Sequence, residues 1–523
     1  MDNQKEDVKT ERELREAILQ EKTRGTPDKE IGQKYGVTLR YIERVITQTQ
    51  GINISGFPVP KKIKTLHPPD FNEQQTTVWS FKQRGNWATH SGEYRGNWSP
   101  YIPRNVILKY SKPGELVLDY FCGAGTTAVE CKLLGRRCIA LDINDKAIEL
   151  AKKNVDFNEE LKQLTLHDEK SPLTIYEPEL LVGDARDLSL LEDNSVDLIC
   201  AHPPYANIIH YTHSQESDLS FLETDDFLTE MSKVARESFR VLKPGRQCAI
   251  LIGDTRRKRY VVPLGFKLID VYLNAGFKLR ELVIKRQHNC KTTGFWYAKS
   301  VKYNFLLLAH EYLPILEKPN SSVSSEVRDR GEDNGRVIPP GANLLLKNDL
   351  DQLETTTVWI FPEKDGEERL NKNVIDRYAQ GGRYSTIHFV SGSQYEAQTA
   401  FEEGGHEDQK LLFIKSPFLG DNPSRAQVEC YLREAPKVIE QELPNLTPKG
   451  FLVIQTRDVR VEGYIEPLAQ RIIDRLSLAN LRLKEIIVVT HEEPHSPVPA
   501  SRDHLDLIHQ YLLVYEVQSE VKR

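Results

Sequence analysis

The stretch Leu116-Val-Leu-Asp-Tyr-Phe-Cys-Gly-Ala-Gly-Thr-Thr127, continued by Gly135-Arg-Arg-Cys-Ile-Ala-Leu-Asp142, constrains the fold more than any other part of the chain. Residues 116–118 are an apolar run that reads as a buried strand, and Cys122-Gly-Ala-Gly125 reads as a tight turn. Residues 126–134 carry a helical pattern, and a second apolar strand, 138–141, ends on Asp142. Strand, helix and strand in this order predict a βαβ unit. Gly123 and Gly125 let the backbone turn sharply and leave room for a ligand beside the helix N-terminus. Asp142, closing the second strand, is placed to hydrogen-bond ribose hydroxyls.

The spacing is Phe-x-Gly-x-Gly, not the Gly-x-Gly-x-x-Gly of dinucleotide sites. With Asp119 and Asp142 it resembles the S-adenosylmethionine site of class I methyltransferases, against the plainer reading of a sheet crossover that holds no ligand. At 523 residues the chain has room for about three domains of roughly 150 residues each. No apolar stretch approaches the ~18 residues of a membrane span, and the polar start is no signal peptide, so no membrane partner is expected. Seven cysteines without a Cys-x-x-Cys pair indicate neither zinc nor a disulfide frame, which fits a reducing cytoplasm. Cys122 and Cys138 read as small apolar fillers. The net charge of −6 means that any nucleic-acid contact must come from local basic patches.

Residues 1–57 begin with a charged, helix-prone segment, followed by a pattern in which Ile31, Val37, Ile42 and Val45 would be buried by two short helices. Gly32 permits their close approach and Gly36 suits the turn between them. This predicts a helix-turn-helix whose second helix, 38–47, exposes Thr38, Arg40, Tyr41 and Arg44 toward DNA. A small helical packing module that touches no DNA is the alternative. Residues 58–75, with Pro58-Val-Pro-Lys-Lys and Pro68-Pro69, read as a linker.

Residues 76–313 hold the remaining motifs. Trp79, Trp87 and Trp98 line a cofactor or base pocket, or else form a dense core. A helix over 146–155 and a polar insert, about 158–178, precede Leu180-Leu-Val-Gly-Asp-Ala-Arg-Asp187. Asp184 there stands where an adenine amine would be read, or is a turn or capping aspartate. Val196-Asp-Leu-Ile-Cys-Ala-His-Pro-Pro-Tyr205 is a buried strand running into two prolines and an aromatic ring. Prolines fix the backbone, so the carbonyl beside the first one faces outward. That carbonyl and the side chain of His202 can accept hydrogen bonds from an exocyclic amine, while Tyr205 stacks on the same base.

With these residues in view, 76–310 resembles the amino-methyltransferases of DNA, which methylate adenine N6 or cytosine N4. The segment around Pro103 resembles their first cofactor segment. Asp119, Phe121, Gly123, Gly125 and Thr126 fall in their glycine motif, and Asp142 and Asp184 match their ribose- and adenine-contacting acids. His202, Pro203, Pro204 and Tyr205 stand at their catalytic loop, and Arg240-Val-Leu-Lys-Pro-Gly245 is another family segment. The resemblance implies a Rossmann-like, doubly wound α/β sheet, S-adenosylmethionine as cofactor, and double-stranded DNA with one flipped nucleotide as partner. It leaves room for a partner restriction endonuclease. The departure is His202, where the family has Asp, Asn or Ser; a neutral imidazole accepts one hydrogen bond but titrates near pH 6.5. RNA or protein-amide methylation, and an inactive DNA-binding regulator, are the competing functions.

Arg256-Arg-Lys-Arg259 is either a DNA-backbone contact, through Arg256, Arg257 and Arg259, or a solvated charge run. Lys285-Arg-Gln-His-Asn-Cys-Lys291 and Gly294-Phe-Trp-Tyr297 mix basic and aromatic side chains suited to a flipped base. Residues 314–351 read as a flexible linker. The last part, 352–523, echoes the catalytic region: Thr355-Thr-Thr-Val-Trp-Ile-Phe361 resembles Thr76-Thr-Val-Trp-Ser-Phe81, and the segments starting at Pro467 and Pro263 align without gaps. Leu412-Phe-Ile-Lys-Ser-Pro-Phe418 takes the Pro-Pro-Tyr position, and no glycine turn corresponds to residues 122–125. This predicts a degenerate methyltransferase-like α/β domain, against an unrelated α/β domain with similar patterns.

Overall fold

A computed structural model describes residues 11–24, 26, 28–37, 41, 42, 45, 63–69, 71–91, 94, 96–158, 174–205, 218–288, 300, 303–320, 355–362, 364–400, 406–418, 423–476, 478–491 and 504–518. Two short helices open it, α1 (Glu11–Thr23) and α2 (Asp28–Tyr35). They bury Leu14, Ile18, Ile31, Val37, Ile42 and Val45 in one small apolar cluster. Gly36 turns with φ +61°, and a Cβ on Gly32 would meet the Val37 carbonyl oxygen at 2.9 Å. Tyr41 departs from expectation: it lies in this cluster, 3% exposed, and so presents no ring to DNA. One helical turn places Tyr41, Ile42 and Val45 on the same inward face. Thr38, Arg40 and Arg44 lie outside the described residues.

The first sheet is built from β1 (Val78–Ser80), α3 (Tyr101–Tyr110), β2 (Leu116–Asp119), α4 (Thr126–Leu133), β3 (Arg137–Asp142), α5 (Asp145–Val155), β4 (Glu179–Val182), β5 (Val196–Ala201), α6 (Thr224–Val241) and β6 (Leu242–Ile250). A hairpin, β7 (Thr255–Arg257) and β8 (Tyr260–Val262), then leads to α7 (Leu264–Asn274), β9 (Lys278–Arg286) and β10 (His310–Glu317). Its eight strands run in the order β1-β9-β10-β6-β5-β2-β3-β4. All neighbouring pairs are parallel except those of β10, which is antiparallel to both β9 and β6. From β2 the chain winds outward to β3 and β4, and from β5 it winds the other way to β6. The order therefore reverses between β2 and β5, and open α/β sheets bind ligands at such a point.

Local sequence accounts for these elements. β5 is buried along its whole length; its apolar residues suit a central parallel strand, and its one charged residue, Asp197, is paired with Lys243 at 2.6 Å. α6 turns Phe227, Met231, Val234, Ala235, Ser238 and Val241 inward at helical spacing. α5 starts at Asn144, whose side chain accepts from the Lys146 N–H at 3.1 Å. β10 runs past the expected boundary, through Pro314 to Glu317. It pairs with β6 from Ile315 onward and bridges from Tyr312 to Ile252, just past the end of β6, and Pro314, with no N–H to give, falls in the gap. Residues 321–354 lie outside the described residues. The stretch read as a linker is partly packed, with Leu66 buried and Phe71 stacked on Tyr101 at 6.4 Å.

A second sheet follows from β11 (Val358–Phe361), α8 (Gly366–Tyr378), β12 (Gly382–Phe389), β13 (Tyr395–Ala400), β14 (His406–Lys415), α9 (Arg425–Glu442) and β15 (Phe451–Thr456). The hairpin β16 (Val459–Val461) and β17 (Tyr464–Glu466), α10 (Leu468–Arg475), β18 (Leu481–His491) and β19 (His509–Val517) complete it. Its order is β11-β18-β19-β15-β14-β12-β13. Six of these strands repeat, in order and in direction, the run from β1 to β2 of the first sheet. Past that point the sheets differ. β12 pairs antiparallel with β13, where β2 is followed by the glycine turn, α4 and a parallel β3.

The sheets are joined by matching contacts. Thr77 N–H donates to the Asp506 carbonyl at 2.9 Å, and Thr357 N–H to the Leu307 carbonyl at 2.9 Å. His509 Nδ1 lies 2.8 Å from Thr77 Oγ1, and His310 Nδ1 lies 2.9 Å from Thr357 Oγ1. One apolar core runs through both sheets.

Candidate functional site

At the reversal point the ends of β2, β3, β4 and β5 surround a cavity which, with its mouth, encloses about 680 Å³. Phe121 and Gly123 form one wall, Asp142 and Asp184 another, and His202 and Pro204 a third. The glycine turn and the His-Pro-Pro-Tyr loop therefore share one space. Gly123 adopts φ +51°, and a Cβ there would come within 3.0 Å of Tyr94 Cε1. Gly125 has φ +81°, and its Cβ would lie 3.0 Å from Ala151 Cβ. The first glycine keeps the cavity floor thin, and the second lets α4 meet α5.

Asp142 accepts from the Gly123 N–H at 2.9 Å and from the Asn144 N–H at 2.9 Å, and burial pushes its carboxyl up to about 6. Asp184 is gripped by Arg186, whose guanidinium reaches its Oδ2 at 2.6 Å and Glu230 at 2.7 Å.

Three residues expected at the cofactor stand behind the wall. Pro103 is buried in the first turn of α3. Asp119 is buried beneath the turn, accepting from the Phe121 N–H at 3.0 Å and the Thr127 hydroxyl at 2.5 Å, and burial pushes it up to about 7. Thr126 is buried at the start of α4. Asp119 and Thr127 shape the turn from below, because a short βαβ turn needs its backbone N–H groups satisfied.

His202 is half-buried, and its ring stacks on Trp98 with centroids 5.7 Å apart. Its Nε2 lies 3.2 Å from the Tyr205 hydroxyl, which donates to Glu311 Oε1 at 2.7 Å. Lys285 Nζ donates to the other Glu311 oxygen at 2.7 Å. Burial pushes His202 down to about 4, so the ring is neutral at physiological pH. Burial alone would raise Glu311, but Lys285, His202 and Tyr205 hold it at about 2.

Of the three tryptophans, Trp98 lines the cavity, whereas Trp79 and Trp87 are core. Trp87 Nε1 donates to Glu130 at 2.7 Å, beside His90 at 2.7 Å and Arg104 at 2.8 Å. This buried knot on α4 anchors the segment that carries Tyr94, Asn97 and Trp98 to the cavity. Tyr94, Asn97, Asp218 and Glu311 escaped sequence reasoning, whereas Lys285 begins the basic run read as suited to a flipped base. Asn97 and Asp218 stand outside any motif, and Lys285 and Glu311 reach the site only through strand pairing.

Arg256 is not a DNA contact. It donates to Glu485 Oε2 at 2.6 Å and to the carbonyls of Lys484 and Leu306, joining the two sheets. Arg257 and Arg259 are exposed at the β7–β8 hairpin, with Arg257 paired to Glu223. Residues 289–291 and 294–297 lie outside the described residues. Among the described residues no His, Cys, Asp and Glu cluster suits a metal, and no helix is long and apolar enough to cross a membrane.

Comparison with known proteins gives a match to a DNA methylase family model over residues 33–153 and 196–402, and to a methyltransferase domain model over 118–250. Among curated proteins, the tRNA (guanine(10)-N2)-dimethyltransferase of Methanothermobacter thermautotrophicus is 33% identical over 113 residues, 21% of this chain and 29% of that protein. The type II methyltransferase M.SmaI of Serratia marcescens is 35% identical over 77 residues, 14% of this chain and 26% of that protein. The type II methyltransferase M2.DpnII of Streptococcus pneumoniae is 33% identical over 91 residues, 17% of this chain and 33% of that protein. The chain thus spans about a quarter to a third of the length of these relatives.

The cavity fits an adenosine-bearing sulfonium. Its floor is a glycine backbone with no space for a Cβ, and a carboxylate closes the neighbouring strand. Matched over more than half of its length, and with the glycine turn and the proline loop on one sheet edge, this chain belongs to the DNA methylase family, the N6/N4 amino-methyltransferases that use S-adenosylmethionine.

Proposed function

We propose that this chain is a site-specific DNA methyltransferase that places a methyl group on the exocyclic amine of adenine (N6) or cytosine (N4) in a nucleotide flipped out of the duplex. The observation that carries this reading is the single cavity shared by the Phe121–Gly125 turn and the His202–Tyr205 loop. Asp142 would hold the ribose hydroxyls of S-adenosylmethionine and Asp184 its adenine amine, with Phe121, Gly123 and Gly125 shaping the bed. The bound cofactor supplies an electrophilic methyl group on a sulfonium.

The chain's own residues then act on the target amine. Pro203 and Pro204 fix the loop, so the carbonyl before them and the His202 ring accept hydrogen bonds from that amine. Those bonds orient the nitrogen lone pair, and Tyr205 and Trp98 offer aromatic surface to the base. No covalent nucleophile is needed. The cysteines of the described site, such as Cys122 and Cys200, are buried, and burial raises their thiols well above the ordinary range.

The N-terminal helices, Arg257 and Arg259 would contact the duplex. The second sheet repeats the frame of the first without the cofactor segment, which supports its reading as a degenerate methyltransferase half that steadies the catalytic one. A second reading, methylation of an RNA base amine, is favoured by the name of the tRNA-modifying relative.

Incubation with methyl-labelled cofactor and separate duplex DNA, tRNA and protein acceptors tests both readings. Label is expected in duplex DNA as N6-methyladenine or N4-methylcytosine within one sequence context. Label confined to tRNA or protein would overturn the proposal.

A further inference from the structure

Tyr205 has one hydroxyl proton and, among the described residues, two neighbours placed to take it. Glu311 Oε1 lies at 2.7 Å and His202 Nε2 at 3.2 Å. The other Glu311 oxygen accepts from Lys285 Nζ at 2.7 Å, so the carboxylate is ionised and acts as acceptor only. A charge-assisted bond is the shorter and stronger one, and the hydroxyl proton therefore points to Glu311. The Tyr205 oxygen can then meet His202 as an acceptor alone, which requires the ring proton to sit on Nε2. In a neutral imidazole the other nitrogen, Nδ1, keeps the lone pair.

The surroundings hold this chain of groups in place. A Cβ on Gly253 would come within 3.1 Å of Tyr205 Cε2 and 3.3 Å of Glu311 Cγ, so bare backbone closes over both. Glu311 lies between His310 and Tyr312 on β10, and strand alternation turns those two to the opposite face, where they meet Thr357 and Asp254. On the cavity side the ring is fixed by its stack on Trp98.

Resting on the reading of the site given above, we propose that Glu311 is a positioning residue: through Tyr205 it selects the Nε2–H form of His202 and so makes Nδ1 the ring atom that accepts a hydrogen bond from the target amine. Family members with an amide or carboxylate at this position need no such device, because their oxygen acceptors have no tautomer to choose. An imidazole does.

The test uses the full chain without cofactor, labelled with 15N-histidine, and identifies the His202 signals as those lost in His202→Asn. The wild-type spectrum is expected to show a protonated Nε2 and an unprotonated Nδ1. In Glu311→Gln the side-chain amide can donate to the phenol oxygen, which frees the hydroxyl to donate to Nε2, and the two ring signals are expected to exchange character. Tyr205→Phe is expected to release the preference. A wild-type proton on Nδ1 overturns the proposal. So does a Glu311→Gln spectrum identical to the wild type.

In turnover assays Glu311→Gln is expected to lower kcat about tenfold, as for one lost transition-state hydrogen bond, with the KM for S-adenosylmethionine unchanged. The ring signals do not depend on which acceptor is methylated. Failure to methylate DNA with the tautomer exchange intact would count against the proposed function alone, and methylated DNA with an unmoved tautomer against Glu311 alone.

Discussion

Arg256 and Glu485, 229 positions apart, form a buried ion pair between the two sheets, with Arg256 Nη2 at 2.6 Å from Glu485 Oε2. The mirror pair is Arg460 with Glu281 at 2.7 Å. Each carboxylate is almost wholly removed from water and lies on the outermost long strand of its own sheet, while its arginine comes from the hairpin of the other half. Two sheets that share the order of six strands thus grip each other by equivalent residues.

Removing one partner of such a pair leaves a bare charge in the interior. Burial pushes Glu485 up, and Arg256 opposes that push. Arg256→Ala is expected to lower unfolding free energy by about 3–5 kcal/mol in chemical denaturation. Arg257→Ala and Arg259→Ala, at exposed positions, are expected to change stability by at most about 0.5 kcal/mol. If those two touch phosphates, their loss makes the salt dependence of DNA binding shallower.

In its proposed role His202 sets the acid side of the rate profile. With its ring pushed down to about 4 by burial, the neutral form persists from high pH down to that value, and activity that needs the lone pair is lost only as pH falls through it. Single-turnover methylation rates between pH 5.5 and 8 are therefore expected to show no limb that His202→Asn removes. A limb centred at about 6.5, the value of a free imidazole, and abolished in that variant would show that the ring is solvated during catalysis.

Glu130 offers a way to loosen the cavity without touching its wall. Burial would raise its carboxyl, but His90, Arg104 and Trp87 outweigh that and leave it below the ordinary carboxylate range. Glu130→Ala strands the Arg104 guanidinium and frees the segment bearing Tyr94, Asn97 and Trp98. A stability loss of about 3–5 kcal/mol is expected. A roughly tenfold weaker cofactor affinity in calorimetry, the equivalent of 1.4 kcal/mol, should accompany it.

Gly125 tests the turn itself. At φ +81°, with Ala151 Cβ 3.0 Å from any added Cβ, Gly125→Ala carries both a left-handed backbone cost and a clash with α5. The backbone term alone is about 1–2 kcal/mol. Denaturant titration is expected to show at least that loss, with weaker S-adenosylmethionine binding.

Much of the site was legible because it is local. The βαβ unit, the bend at Gly123 and Gly125, and the rigid His202–Tyr205 loop each follow from residues a few positions apart, where periodicity and backbone freedom decide the outcome. The repeat was legible too, since the segments beginning at Pro263 and Pro467 align without gaps, and Leu264 and Leu468 are both fully buried at the starts of α7 and α10. Side-chain direction was less so. Arg256 read as a DNA-backbone contact or part of a solvated run, and Tyr41 as an exposed recognition residue, because a linear pattern does not say which face a neighbouring element covers.

By itself, then, the sequence determined the glycine turn, the proline loop and the doubled frame, all of them set by short-range sterics and apolar periodicity. Tertiary structure alone decided that Glu311 and Lys285 stand behind Tyr205, that Asp119 lies under the turn instead of in the cavity, and that Arg256 serves the other sheet. Those assignments depend on which strands pair and how the two sheets meet, and burial energy fixes that only when the whole chain has folded.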